Sequence, residues 1–522
     1  MEAELISALT KKSAYNHAVS EPIKTKTTHI SIVFLTGKYA YKIKKSVSYD
    51  FLDFTSLEKR HHFCMQELRL NRRFAPEIYL DVIPIIKNAK GEILVGKQNE
   101  SEEAIEWAIK MLEFKQEQLL LNLSKNNKLD RNITCMLARS IADFHLKSEP
   151  IASSSPYGSF ESIKHVVLEN FAETESGIGF YFSREDFLAI KTYQENYLKN
   201  NGSQFLERKE AGKIKSCHGD LHLGNICYFD KKVKLFDCIE FSEDFRNIDV
   251  LYDIAFTIMD FEFRGFSDLA NLLLNQYLEW TADYEGLGLL SFYCSVRAYI
   301  RAKVSYLAVK SQAPEKNPDT QEQISKYIDL AKSYSTAGSG LILVVCGVSG
   351  SGKSTIAREL AMNLNAVHLR SDVIRKHLGK VGMLNKADAS LYSEEMNKKT
   401  YKRLEQLAFK LQDNRNVIVD AKFDFHHLRE PYFKWKNNGT RVLFIHCTAS
   451  KEELKFRLDH RKGDVSDADA SLIESQKKQW QSFKVEEAGY VLNLDTQRNL
   501  PDQIKVCLDF IGKHQKTTQV KV

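Results

Sequence analysis

The sequence lacks the patterns that build a disulfide framework or a zinc site. Its nine cysteines are scattered and odd in number, and no two stand as C-x-x-C. They read as reduced, mostly buried thiols of a cytoplasmic protein. Long apolar runs are also missing: no segment approaches the about 18 uncharged apolar residues a membrane span requires. The N-terminal stretch MEAELISALTKKSAYNHAVSEPIKTK shows no cleavage-site pattern. There is no repeat and no low-complexity tract. The formal net charge is small, +6 over 522 residues. With no clear aromatic-plus-basic stripe, that charge argues against nucleic acid and helps only mildly to attract nucleotides. The absences leave a soluble globular protein without a membrane partner. A content of 43% hydrophobic and 27% charged residues is ordinary for that class. The length predicts about three domains or lobes.

What is present falls into two styles. HISIVFLTG and KYAYKIKK alternate apolar and polar residues and predict a strand pair turning at Gly37 and Lys38. SLEKRHHFCMQELRLNRRF predicts a helix. EIYLDVIPIIKNAKGEILVGK predicts a hairpin turning between Asn88 and Gly91. Beyond AIEWAIKML the pattern is largely helical, interrupted by the hairpin sequence NICYFDKKVKLFDCIEF. The proline-containing stretch SQAPEKNPDT breaks the helical run, and the small residues STAGSG, Ser335 to Gly340, read as a linker. From Leu341 the apolar strands LILVVCG, NVIVDA and RVLFIHC alternate with helical stretches, as a parallel α/β sheet requires. The expected division is therefore 1–335 and 341–522, joined by the linker.

The second region opens on a phosphate-binding loop. Gly347, Gly352, Lys353 and Ser354 fit G-x-x-x-x-G-K-[ST], after a strand and before the helical TIARELAMNL. Through Gly347, Val348, Ser349, Gly350, Ser351, Gly352, Lys353, Ser354 and Thr355, such a loop turns backbone N–H groups onto phosphate oxygens at a helix N-terminus. Lys353 would reach the β- and γ-phosphates of ATP, and the Ser354 hydroxyl would bind Mg²⁺. HLRSDVIRKHL places Asp372 and Arg375 on one helical face. It resembles the D-x-x-R element of small P-loop kinases of the polynucleotide-kinase and gluconate-kinase type. The resemblance implies that Asp372 takes the acceptor proton and Arg375 orients the acceptor; a solvated helix-start Asp with a nearby ion pair is the competing reading. Asp420, closing the strand of NRNVIVDAKF, suits a Walker-B-like acid for the metal or an acceptor contact; a structural N-cap competes. KFRLDHRKGD looks like the lid of these kinases, which implies that Arg457 and Arg461 neutralise phosphoryl charge; surface salt bridging competes.

The stretch KSCHGDLHLGNICYFD, continued by KKVKLFDCIEF, has the spacing of a kinase catalytic loop. Residues from about 25 to 310 resemble the aminoglycoside-phosphotransferase-like branch of the protein-kinase-like superfamily. The resemblance implies a small lobe over about 25–105 and a large lobe over about 106–310. It makes Asp220 the catalytic base and Asn225 and Asp237 Mg²⁺ ligands, with Asp253 tying the catalytic loop down. A hairpin from Asn225 to Asp237 would bring both oxygen ligands to one hard cation. His218 and His222 read as loop-fixing hydrogen bonders rather than metal ligands. Lys42 corresponds to the phosphate-binding lysine, with Lys44 on the same strand face in reserve, and Glu67 to its helix partner. No G-x-G-x-x-G covers the phosphates; KTKTTHIS stands there, which weakens a protein-kinase reading more than a small-molecule one.

The whole chain resembles bacterial fusions of such a domain with a P-loop kinase, often labelled AAA family ATPases, although no arginine finger or sensor series suggests a hexameric motor. The expected fold is an α+β protein-kinase-like two-lobed domain followed by an α/β P-loop NTPase domain with a parallel sheet. The expected activity is ATP- and Mg²⁺-dependent phosphotransfer to hydroxyl groups of small molecules. A regulatory protein with one degenerate half, or a nucleic-acid 5′-hydroxyl kinase acting through the P-loop half, are the alternatives.

Overall fold

The computed structural model describes residues 2–49, 52–96, 103–310, 318–336, 340–386, 388–438, 440–460, 465–466 and 469–516. They form two compact units: Met1–Asp260 with Val296–Ile328, and Phe261–Ser295 with Asp329–Val522. This differs from a linear division at 335–340, because Phe261–Ser295 packs with the P-loop portion.

In the first unit, strands β1 (Lys24–Thr27), β2 (Ser31–Leu35), β3 (Tyr39–Lys44), β4 (Tyr79–Lys87), β5 (Ile93–Val95) and β6 (Ala104–Leu112) form one sheet. Its order is β1-β2-β3-β6-β4-β5, antiparallel throughout. Gly37 makes the β2–β3 turn at φ +96°, and Gly91 serves the β4–β5 turn at φ +80°; both conformations favour a residue without Cβ. Along β3 the side chains alternate. Tyr41 and Ile43 enter one core with Ile32, Phe34 and Ala108, whereas Ala40 joins Cys64 and Leu68. Lys42 and Lys44 share the Ala40 face and are buried. Helix α1 (Leu57–Asn71) starts at Ser56, whose Oγ accepts the Lys59 N–H. Its buried residues Arg60, Cys64, Glu67, Leu68 and Asn71 follow helical spacing, so one face carries both apolar packing and charge.

The larger lobe contains α2 (Arg131–Lys147), the two-stranded sheet β7 (Ile226–Phe229) and β8 (Lys232–Leu235), and α3 (Val250–Phe263). The β7–β8 turn takes positive φ at both Asp230 (+48°) and Lys231 (+57°), the twist a two-residue hairpin needs. Register pairs Ile226 with Leu235, so Asn225 and Asp237 flank the open end of the hairpin.

The second unit begins, in chain order, with α4 (Ser267–Thr281). It continues with β9 (Leu341–Cys346), α5 (Lys353–Leu364), β10 (Val367–Arg370), α6 (Ser371–Leu378), β11 (Val417–Asp420), α7 (His426–Asn437), β12 (Arg441–Thr448), α8 (Lys451–Asp459) and β13 (Val491–Asp495). The strands make a parallel sheet in the order β10-β11-β9-β12-β13. Strand β9 is buried along its whole length, as expected of a parallel strand covered on both faces. Edge strand β10 leaves backbone groups unpaired, and α4 supplies the partners. Asn275 Oδ1 accepts the His368 N–H at 2.7 Å, and the Asn271 and Asn275 amides donate to Ala366 O at 3.0 and 2.9 Å.

The seating of α1 is testable. Arg60 Nε donates to both Glu106 oxygens (2.8 and 3.0 Å) and Nη1 to the carbonyls of Phe54 and Thr55. Arg60→Met takes the guanidinium away from the buried Glu106 carboxylate, so urea unfolding should show a loss of about 3–5 kcal/mol. A change under about 1 kcal/mol would place the pair among solvated ones.

Candidate active sites

In the first unit the β3 lysines and the α1 glutamate meet the segment after β8. Lys42 Nζ lies 2.8 Å from Glu67 Oε1 and 2.5 Å from Asp237 Oδ1. Lys44 Nζ lies 2.8 Å from Glu67 Oε2 and also pairs with Glu240. Glu67 is fully buried and thus holds both ammonium groups. Burial alone would lower the Lys42 pKa, but Asp237, Glu67 and Glu240 outweigh it and raise it well above the ordinary lysine value. For Glu67, burial works upward, and Lys42 with Lys44 overcome it, so the carboxylate stays ionised. Asp237 has φ +61°, an uncommon backbone for a side-chain-bearing residue. Two donations fix it: the Asp237 N–H to Tyr79 Oη (3.0 Å) and the Cys238 N–H to Asn71 Oδ1 (2.9 Å).

The segment around Asp220 is tied down separately. Asp253 on α3 accepts the N–H groups of His218 (3.0 Å) and Gly219 (2.9 Å), and His145 Nε2 lies 3.1 Å from it. Gly219 has φ +86°, and a Cβ there would come 2.7 Å from Phe245 O, so the turn admits only glycine. His218 Nε2 donates to Phe236 O (2.9 Å), while its Nδ1 accepts the Asp220 N–H (3.3 Å). Both nitrogens are occupied within the loop. His222 Nε2 lies 3.4 Å from Asp220 Oδ2. The Asn225 amide donates to Asp220 Oδ2 (2.9 Å) and to its carbonyl (3.0 Å). That leaves the side-chain oxygen Asn225 Oδ1 without a hydrogen bond among the described residues, while the backbone carbonyl accepts the Phe236 N–H. Asn225 Oδ1 and the half-exposed Asp237 carboxylate are hard oxygen donors of the kind Mg²⁺ takes, so the residues fit the ion. Burial works to raise the Asp220 pKa, but His222, Arg301 and His218 prevail and hold it below the usual carboxylate range.

The P-loop of the second unit has the required conformation. Gly347, Gly350 and Gly352 have φ of +138°, +81° and +84°. A Cβ on Gly347 would come 2.4 Å from Cys447 O. Lys353 Nζ donates to Val348 O across the loop (2.9 Å), and Gln476 holds Ser349 through N–H (2.8 Å) and Oγ (3.1 Å). Ser351 Oγ is buried without a hydrogen-bond partner among the described residues. Ser354 and Thr355 open α5 beside Lys353, half-buried and exposed respectively. Inward-turned glycines, the lysine and the serine hydroxyl fit a phosphate with its Mg²⁺.

Asp420 ends β11 next to β9 and does not cap a helix: α7 starts at His426 and its N-cap is Phe425. It is buried, His368 Nε2 lies 3.3 Å from its Oδ2, and Arg370 Nε lies 4.0 Å from the same atom. Burial opposes ionisation, yet His368, Lys353 and Arg370 bring its pKa down to about 2. Asp372, half-buried on α6, makes no hydrogen bond or ion pair among the described residues. Arg375 on the same helix is buried and turns to Asn397 Oδ1 (2.5 Å) and Leu391 O (3.4 Å), its Nε left without a partner. Arg457 donates to Gly350 O (3.3 Å), Thr496 Oγ1 (3.0 Å) and Thr496 O (2.7 Å) and pairs with Glu453, so it braces the loop rather than standing free. Arg461 lies outside the described residues. Sequence reasoning missed Glu240, Tyr79, Asn71, His368, Arg370 and Gln476. Only Glu240, three residues beyond Asp237 in FDCIEF, carried a readable signal.

The chain is similar to several known proteins. Residues 342–483 match the family model of an AAA domain. An uncharacterized protein of Mycobacterium tuberculosis is 25% identical over 477 residues, covering 90% of this chain and 93% of the relative. An uncharacterized protein of Mycobacterium bovis matches to the same extent. Among solved structures, choline kinase from Cryptosporidium parvum aligns at 13% identity and TM-score 0.39, over 62% of this chain and 90% of its own. A gluconokinase from Sinorhizobium meliloti aligns at 19% identity and TM-score 0.27, over 35% and 98%. The family match falls on residues 342–483, in the second unit.

Two measurements follow. Gly347→Ala should weaken nucleotide binding at the P-loop about tenfold or more, read by calorimetry, because the loop must move off Cys447 O. With Asp220 held below ordinary carboxylates, the acid limb of turnover by the first unit should lie below about pH 4. A limb at about pH 6–7 would assign the base to a histidine.

Proposed function

We propose that the protein is an ATP-dependent phosphotransferase with one Mg·ATP site in each unit, each passing the γ-phosphoryl group to a hydroxyl of a small-molecule acceptor. The observation that carries this reading is the Lys42 ammonium lodged between Glu67 and Asp237. A lysine so held presents a fixed positive charge to nucleotide phosphates, and the carboxylate after the hairpin lies beside it. In the first unit Asp220, ionised and oriented by Asn225 and His222, accepts the acceptor's hydroxyl proton. Asn225 and Asp237 would hold Mg²⁺, which when bound neutralises charge on the phosphate oxygens. In the second unit Lys353 and the loop N–H groups hold the phosphates, with Ser354 and Asp420 as the residues for the metal. Asp372 serves as base, and Arg375, held by Asn397 and the Leu391 carbonyl, helps orient the acceptor. Arg457 keeps the loop in shape.

The test uses the full chain. Calorimetry with a non-hydrolysable ATP analogue and Mg²⁺ should find two sites, one lost in Lys353→Ala and the other in Asp237→Ala. Incubation with ATP and a metabolite extract should yield products heavier by one HPO₃. Asp220→Asn should remove one class of product and Asp372→Asn the other, each slowing transfer about 10²-fold or more while analogue binding remains. A single nucleotide site would make one unit a regulatory module. Phosphorylation confined to an added 5′-hydroxyl oligonucleotide would transfer the P-loop unit to nucleic-acid substrates.

A further inference from the structure

The two lysines of β3 and their three carboxylates stand in a single file of alternating charge. Glu240 pairs with Lys44, and Lys44 lies 2.8 Å from Glu67 Oε2. Glu67 Oε1 lies 2.8 Å from Lys42, and Lys42 lies 2.5 Å from Asp237. The file has a closed end and an open one. The side chains of Lys44 and Glu240 are 1% and 4% exposed and that of Glu67 not at all, whereas Lys42 reaches 9% and Asp237 41%. Lys44 Nζ also lies 4.9 Å from the centre of the buried Phe54 ring. Burial works to lower the Lys44 pKa, but Glu240 and Glu67 overcome it and raise it, so the ammonium stays charged. Lys44 is thus shut away at the closed end, and Lys42 is the lysine beside the exposed carboxylate.

The open end is also the end whose partners must change. On the reading proposed above, Lys42 serves the phosphates and Asp237 the metal, so their direct pair has to part. Glu67 is then the carboxylate that remains on Lys42, and it can orient the ammonium only if its own other oxygen is fixed. Lys44 fixes it. A buried ammonium without a second carboxylate would compete with Lys42 for Glu67, because uncompensated charge is costly in the interior. Glu240 gives Lys44 a carboxylate of its own, so Lys44 tethers Glu67 without drawing it off Lys42. Glu240 stands three residues after Asp237, so the tether and the carboxylate that parts from Lys42 belong to one short segment.

We propose that Lys44 and Glu240 are positioning residues of the nucleotide site in the first unit: as a pair they hold Glu67 in place and, through it, set Lys42 for the phosphates. This deepens the reading of Lys42 and Asp237 as ligand contacts and rests on it.

The test is calorimetry on the full chain carrying Lys353→Ala, which leaves the site of the first unit to be read alone. Two probes are compared: a non-hydrolysable ATP analogue with Mg²⁺, and adenosine, whose affinity is read from its competition with the analogue. Lys44→Met/Glu240→Met replaces the pair by apolar side chains of similar length, a change that buried ion pairs often tolerate. Analogue binding should fall about tenfold or more, the order expected when a charge-assisted contact is withdrawn. Adenosine, which has no phosphate for Lys42 to meet, should bind within about twofold of its strength without the paired change. A merely structural pair would weaken both probes alike. Glu240→Asp keeps the charge and withdraws it by one methylene, and should show the same selective loss at reduced size, about threefold or more. It decides the matter should the double variant fail to fold. Unaltered analogue affinity in either variant that folds, or an equal loss of both probes, overturns the inference alone. A Lys353→Ala chain with no remaining site, or with one that survives Asp237→Ala, overturns the nucleotide reading and the inference with it.

Discussion

Two ammonium groups on one face of β3 cannot leave water without carboxylates to meet them, and the first unit is arranged around that requirement. Lys42 and Lys44 both point into the interior, and Glu67 gives one oxygen to each. One carboxylate cannot balance two cations, so Glu240 completes Lys44 and Asp237 completes Lys42. The helix, the strand and the segment after the hairpin are thereby brought into one place by charge. Removing Glu67, the member both lysines share, leaves each ammonium with a single carboxylate in a medium where an uncompensated ion costs several kcal/mol. The apolar packing of Ala40, Cys64 and Leu68 supplies area; the ion network supplies the register.

The same economy of buried charge recurs in the second unit with the signs exchanged. There Asp420 is the group to be satisfied, and His368 and Arg370, both from the edge strand β10, meet it. An edge strand is a poor place from which to fix side chains unless its open side is covered. Helix α4 covers it with two asparagine amides and one glutamate. Backbone satisfaction at the sheet edge and the pairing of Arg370 thus come from one helix.

Much of this was legible beforehand, for different reasons in different places. The P-loop is local: its glycines, lysine and serine lie within eight consecutive residues, and their roles follow from backbone conformations that only glycine adopts easily. The hairpin from Asn225 to Asp237 is likewise short-range, and its alternation read correctly. Lys42 and Glu67 were named through the kinase-like resemblance, and each lies on the buried face of its element. Arg370, His368 and Asn275 were not. Nothing in NLLLNQYLEW announces that its asparagines will bond strand atoms more than ninety residues away, since polar residues in an apolar helix look alike whatever they meet.

The sequence by itself determined the elements, the phosphate-binding loop and the identity of the acids and bases available, because periodicity and turn chemistry act between near neighbours. Only the tertiary structure decided which carboxylate each buried cation would share. It alone gave α4 to the P-loop unit and turned Arg457 to the loop carbonyls. Those outcomes depend on desolvation, which acts on whichever groups the folded chain brings together and is indifferent to their separation along it.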